Sequence, residues 1–441
     1  MRIYFLLSIF TALLFQGCTA MKNADTASCA VQKNPVVCKN SFFDPNHYTG
    51  SDIERINAAL KDAGSCSGTV RIGKRRPPAQ YNGGNGISTM EERDIWVIDS
   101  AILIPGNVQL IIDNTTIKLS NSCRDNMIRS INRTGNGNMV SPLKNIHITG
   151  IGNAVLEGAD VPRATGDSGK PLYKPGFIPE GSVSFGSDAG KAGVRQKGDW
   201  RNIGILLTKI HNFSIENIRI RDSHSWGISL EACSNGRVRN IEFDSRNGKK
   251  VNGKWELFRN QDGLDLRRGC RDILIENITG KSGDDLIALT ALSSKRHQGS
   301  ANKKISDDDI CNVTIRNVRG YCVGKHHIIR FLNTRGIKIY NIICDGVIDT
   351  SPAGHRNAAT IKIGDNNKRW GGVTPLGDTY AIQINNVISY SRNPILIAGS
   401  LQDSIISNVI NHNPQTTPVV YQSGRQNVKN CLIVNTLTAG K

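Results

Sequence analysis

No two cysteines among the eleven in this 441-residue chain are spaced as Cys-x-x-Cys, so they make no recognisable zinc ligand set. Zinc-finger spacing, an RNA-recognition signature and a basic helix interleaved with aromatics are also missing, which removes nucleic acid as the expected partner. The Leu-x-x-Leu-x-Leu frame of leucine-rich repeats is absent too. Charged residues are scarce at 21% against 38% hydrophobic, the balance of an ordered, core-forming chain. Basic side chains outnumber acidic ones 55 to 37, a net charge of +18 with a pI of about 9.5. Either this is simply a basic soluble protein, or its field concentrates a polyanion near the surface. One elongated repeat domain absorbs a chain of this length, and its 44 glycines and abundant asparagines imply many tight turns.

A charged start, Met1-Arg2, precedes an apolar run ending at Leu14-Phe15, too short for a confident membrane span. Residues 1–20 therefore read as a secretory signal. Gly17-Cys18 resembles a bacterial lipoprotein cleavage site that leaves Cys18 lipidated; ordinary cleavage after Ala20 is the alternative. Either way we expect export, to the bacterial cell envelope as a lipoprotein or to the periplasm or exterior. Membrane contact would come only through that lipid. Residues 21–40 read as a flexible segment and 41–435 as one folded domain, expected to be monomeric. Without Cys18 the cysteines number ten, an even count for an oxidising compartment. Cys29/Cys38 and Cys311/Cys322 are close enough in sequence to pair, with buried free thiols as the alternative.

From about residue 105 a phrase recurs: alternating aliphatics, Asn, then Val or Ile. Examples are Phe213-Ser214-Ile215-Glu216-Asn217-Ile218 and Ile273-Leu274-Ile275-Glu276-Asn277-Ile278. Its asparagines, 217, 240, 277, 317, 341, 386 and 408, step by 23, 37, 40, 24, 45 and 22. Three steps read as one unit and 45 as about two; 37 and 40 read as a unit plus a long loop, or two shortened units. Period-two apolar patterning means strands, and a repeat near 22–24 residues means short strands and turns stacked on their neighbours. The fold expected is all-β: a right-handed, single-stranded parallel β-helix whose turn asparagines ladder through their amides. Ser51-Asp52-Ile53-Glu54-Arg55-Ile56 begins an amphipathic helix with a Ser or Asp cap, expected to plug the N-terminal end of the core. Residues 73–95 and 157–200, rich in Gly, Pro, Arg and Lys, read as long loops on the flank near the groove.

Two acidic motifs, Asn260-Gln261-Asp262-Gly263-Leu264-Asp265 and Gly283-Asp284-Asp285, lie 23 residues apart, one coil. Leu264 and Leu266 have inward parity, matched by Ile287 and Leu289 on the next coil. Asp262 and Asp285 share that parity, and bare carboxylates in an aliphatic core cost too much. They must sit where the chain turns into the strand, clustered with Asp284, and with Asp265 just beyond as a candidate substrate contact. Crowded carboxylates push one pKa up, supplying an acid beside ionised partners that activate water. Plain turn residues and a calcium site are the competing readings. His326, in Gly324-Lys325-His326-His327, also opens a strand after a repeat phrase and is expected at the groove; His327 is a weaker candidate. Lys362, flanked by Ile361 and Ile363, has outward parity and suits an anionic sugar substituent, unless it is merely solvated; Arg330 is comparable.

These motifs together resemble the polygalacturonases of glycoside hydrolase family 28. Asn260-Gln261-Asp262-Gly263-Leu264-Asp265 is similar to that family's Asn-Thr-Asp-Gly-x-Asp, with Gln261 for Thr. Gly283-Asp284-Asp285 corresponds to its Asp-Asp pair, Gly324-Lys325-His326 to Gly-His-Gly, and Thr360-Ile361-Lys362 to Arg-Ile-Lys, with Thr360 for Arg. The resemblance covers roughly residues 45–410. It implies a β-helix hydrolase of acidic, pectic polysaccharide that inverts the anomeric carbon, with no cofactor and no metal. By the same resemblance Asp284 is the general acid, Asp262 and Asp285 activate water, and His326 and Lys362 hold the sugar beside the cut. With Arg absent at 360, either Arg330 substitutes or the polymer is branched, sulfated or rhamnose-containing. A β-helix polysaccharide lyase using Lys362 or Arg330, usually with calcium, and a non-catalytic glycan-binding solenoid are the alternatives.

Overall fold

The computed structural model describes residues 42–76, 94–121, 123, 125–132, 141–160, 202–251, 253–258, 260–292, 305–370 and 372–440. The signal at 1–20, Cys18, the segment 21–40, the pair Cys29/Cys38 and most of the two expected loops lie outside these residues. Alternating burial builds two long parallel sheets. One is a ten-stranded sheet of short strands running from Ile102–Ile104 to Val419–Tyr421, and it includes Leu264–Arg267, Ile287–Ala291, His327–Asn333 and Ala359–Ile363. The other takes longer strands, among them Ile210–Arg221, Ser234–Asp244, Arg271–Ser282 and Ile310–Cys322, which run on through a corner. From Ile210 onward each coil gives one strand to each sheet, and the chain winds as a right-handed parallel β-helix.

Identical positions stack. Ile215, Val238, Ile275, Ile315, Cys344, Ile384 and Ile406 are register partners in series, and all are buried. Leu207, Leu230, Leu266, Leu289, Phe331 and Ile363 form a second such column on the short-strand sheet. Burying one such side chain contributes about 1.5–3 kcal/mol, and a stacked column repeats that gain on each coil.

The corners are the asparagines. Asn217, Asn240, Asn277 and Asn317 all have φ of 54–60°, and each amide nitrogen of the last three donates to the side-chain oxygen of the preceding coil at 2.6–2.8 Å. Asn tolerates this left-handed backbone better than other side chains that carry a Cβ. The structure corrects the spacing at one point. Asn341 does not follow Asn317; it pairs with Asn312, an earlier corner of the same coil, and Gly346 takes the position facing Asn317. The step of 45 to Asn386 is therefore one coil, since Ile342 pairs with Ile382, plus a shift of corner. The steps of 37 and 40 are likewise single coils with long loops.

The helix spans Asp52–Cys66 with Ser51 as N-cap and a capping box to Glu54. Ile53, Ile56, Ala59, Leu60 and Ala63 enter the same apolar cluster as the first strands, so the helix seals that end. The cysteine expectation fails for Cys311 and Cys322. Both thiols are free, because they lie near opposite ends of the single strand Ile310–Cys322, far beyond the ~7 Å Cα separation a disulfide spans. Most other described cysteines are buried free thiols as well, whereas Cys66 is disulfide-bonded.

Candidate active site

Three columns of side chains meet at the edge where the short strands begin. Leu264, Ile287, Ile329 and Ile361 are inward register partners. Two residues before them on successive coils stand Asp262, Asp285 and His327. The Asp285 N–H donates to Asp262 Oδ1 at 2.8 Å, and the His327 N–H donates to Asp285 Oδ1 at 3.1 Å. Inward parity does not drive these carboxylates into hydrocarbon because the chain is still turning there. Gly263 permits the turn, since a Cβ on it would lie 2.5 Å from the Leu286 carbonyl oxygen. Gln261 braces the same turn: its buried amide donates to the Ser223 carbonyl at 2.7 Å and accepts from the Asn247 N–H at 3.2 Å.

The second column is Asp284 with His326, whose Nδ1 lies 3.5 Å from Asp284 Oδ1. The third runs along the outer face of the strands as Asp265, Ala288, Arg330 and Lys362. Arg330 reaches back to Asp285 Oδ2 at 3.4 Å and forward to Asp365 Oδ2 at 2.8 Å; Lys362 Nζ donates to the same Asp365 oxygen at 2.9 Å.

The carboxylate oxygens of Asp262, Asp284 and Asp285 approach within 4.8 Å of one another. Their environments differ. Burial raises Asp285, but His327, bonded through Nδ1 at 2.7 Å, and Arg330 outweigh it and hold that carboxyl far below the usual range. Burial and the Asp285 charge raise Asp284. Burial and the neighbouring Asp284, Asp265 and Asp285 push Asp262 well above the ordinary value. Asp285 is thus the fixed anion, while Asp262 and Asp284 compete for a proton. Asp284 reaches solvent, with a quarter of its side chain exposed (26%), whereas Asp285 is sealed at 2%. The spacing of the trio also suits a cation, although Arg330 already pairs with one member.

Two expected substrate contacts are corrected. His327 is buried and committed to Asp285, and Asp265 is buried with Thr290 donating to it at 2.8 Å, so neither side chain reaches the groove. Thr360 is also sealed, its hydroxyl bonded to Ser389 and Ser391 at 2.7 and 2.9 Å. Asp365 was missed in the sequence. Its signal was present as Gly364-Asp365 after a strand, the pattern of Gly283-Asp284.

Residues 100–297 match the sequence profile of the Glycosyl hydrolases family 28. No curated protein sequence matches the chain. Among solved structures, a hyperthermoactive exopolygalacturonase from Thermotoga maritima aligns with a TM-score of 0.53 at 14% identity, covering 93% of this chain and 94% of that one. The endo-xylogalacturonan hydrolase from Aspergillus tubingensis gives 0.53 at 14% identity, with 90% and 94% covered. At such identity the likeness is one of fold. The chain is a right-handed parallel β-helix that matches family 28 of the glycosyl hydrolases over residues 100–297, the stretch containing Asp262, Asp284 and Asp285.

Proposed function

We propose that this protein is an exported glycoside hydrolase that cuts an acidic, pectic polysaccharide, with Asp284 as general acid. The observation that carries this reading is the divided electrostatics of three carboxyls within 4.8 Å. A proton on Asp284 removes its repulsion from Asp262, which then ionises with help from the Asp285 N–H. In that state Asp284 gives its proton to the glycosidic oxygen as the bond from the anomeric carbon to that oxygen breaks. Water held by Asp262, which Asp285 positions through its N–H, bonds to the anomeric carbon and yields its proton to Asp262. Sealed Asp285, bonded on both oxygens, is poorly placed to attack carbon directly, which supports inversion.

The substrate class draws support from the +18 net charge and from the galacturonan substrates that name the two solved structures. Lys362 and Arg330 are both ion-paired to Asp365, which leaves neither free as the base a lyase needs. Incubation with polygalacturonate and rhamnogalacturonan in EDTA should release reducing ends with no rise in unsaturated-uronide absorbance. A calcium-dependent rise means elimination instead. Binding without cleavage, unchanged in Asp284→Asn, means a non-catalytic glycan binder. Proton NMR of the first-formed anomer separates inversion from retention.

A further inference from the structure

Resting on the glycoside hydrolase reading, we propose that Asp365 is a specificity-determining residue that fits the subsite at Lys362 and Arg330 to a neutral, hydroxyl-bearing sugar within an otherwise acidic polymer.

The geometry is a closed chain of charge. Asp365 Oδ2 accepts from Lys362 Nζ at 2.9 Å and from Arg330 Nη2 at 2.8 Å, while Arg330 Nη1 lies 3.4 Å from Asp285 Oδ2. Two cations face two anions, so the cluster has no charge to spare for an incoming carboxylate. All of it is shielded, with side-chain exposures of 13% for Lys362, 16% for Arg330 and 4% for Asp365. Water screens these pairs little there, so the two carboxylates behind the cations cancel most of the attraction they would offer a uronate. Asp365 is fixed rather than incidental: its Oδ1 accepts from the Asn367 N–H at 2.9 Å. Gly364 sets its position with a φ of 71°, where a Cβ would lie 2.5 Å from the Gly399 Cα. The N–H donors of Lys362 and Arg330, with their charge neutralised by Asp365 behind them, match the acceptor oxygens of sugar hydroxyls. Thr360, bonded to Ser389 and Ser391, adds no charge. His326 lies on the other column, beside Asp284, outside this cluster.

The test uses the full-length Asp284→Asn protein to stop turnover, with calorimetry of an oligogalacturonate and its carboxyl-reduced, neutral counterpart. Adding Asp365→Asn should tighten the acidic oligosaccharide about tenfold and leave the neutral one unchanged or weaker. Asp365→Ser, which should act with the same sign, serves if the Asn variant does not fold. Equal weakening of both ligands makes Asp365 a mere prop and overturns the proposal. An unchanged acidic affinity, or no binding of either ligand, overturns it as well. If the ligands behave as expected but the wild type cleaves no glycan, the hydrolase reading fails while the specificity assignment stands.

Discussion

Asp284 binds its proton more tightly in the folded chain than in the unfolded one, because burial and Asp285 raise it above the ordinary value of 3.8. Such a group costs stability progressively as pH rises from the unfolded pKa through the folded one. Asp284→Asn should therefore abolish cleavage yet raise the melting temperature at pH 7, a gain on the order of 1 kcal/mol that vanishes below the unfolded pKa. A melting temperature lowered at pH 7 contradicts this electrostatic account. Asp285 has the opposite sign: its depressed pKa contributes stability above the unfolded value, lost as pH falls through the folded one. His327→Gln removes the 2.7 Å bond that helps hold Asp285 ionised. The expected result is a loss of about 1–3 kcal/mol at neutral pH and an acid limb of the activity profile moved to higher pH. An unmoved acid limb would mean that His327 does not tune Asp285.

Among the elements, the corner ladder makes a separable contribution. Asn240 holds a left-handed φ of 54°, donates to Asn217 and accepts from Asn277. Asn240→Ala should cost about 1–2 kcal/mol from backbone strain and lost hydrogen bonds, read as an earlier urea midpoint. Because this corner is on the other sheet, activity per folded molecule should not change. The ladder was legible as a motif but not in register. Asn serves two corners of some coils, so Asn312 and Asn317 look alike in sequence while only Asn312 faces Asn341. The capped helix from Asp52 was legible because Ser51 and Glu54 satisfy its first N–H groups locally.

On the scale of the whole molecule, the +18 charge acts beyond the pockets it surrounds. If the polymer is acidic, KM should rise several-fold between about 20 and 200 mM salt as the Debye length shrinks from roughly 20 to 7 Å, with kcat nearly constant. A KM flat across that range would point to an uncharged substrate. The same field cannot set specificity beside the cut, because the paired charges of Lys362, Arg330, Asp365 and Asp285 cancel locally.

The solenoid, its inward columns and the meeting of Asp262, Asp284 and Asp285 are legible in the chain alone. Each of these follows from parity and a 23-residue offset, which are local and periodic. What each charge does follows from the folded arrangement. His327 and Asp265 share the parity pattern of the site yet are sealed, and Asp365 gains its role by reaching Arg330 on the preceding coil. Burial and pairing between coils depend on how loops and turns close over the strands, and no periodicity in the chain encodes that.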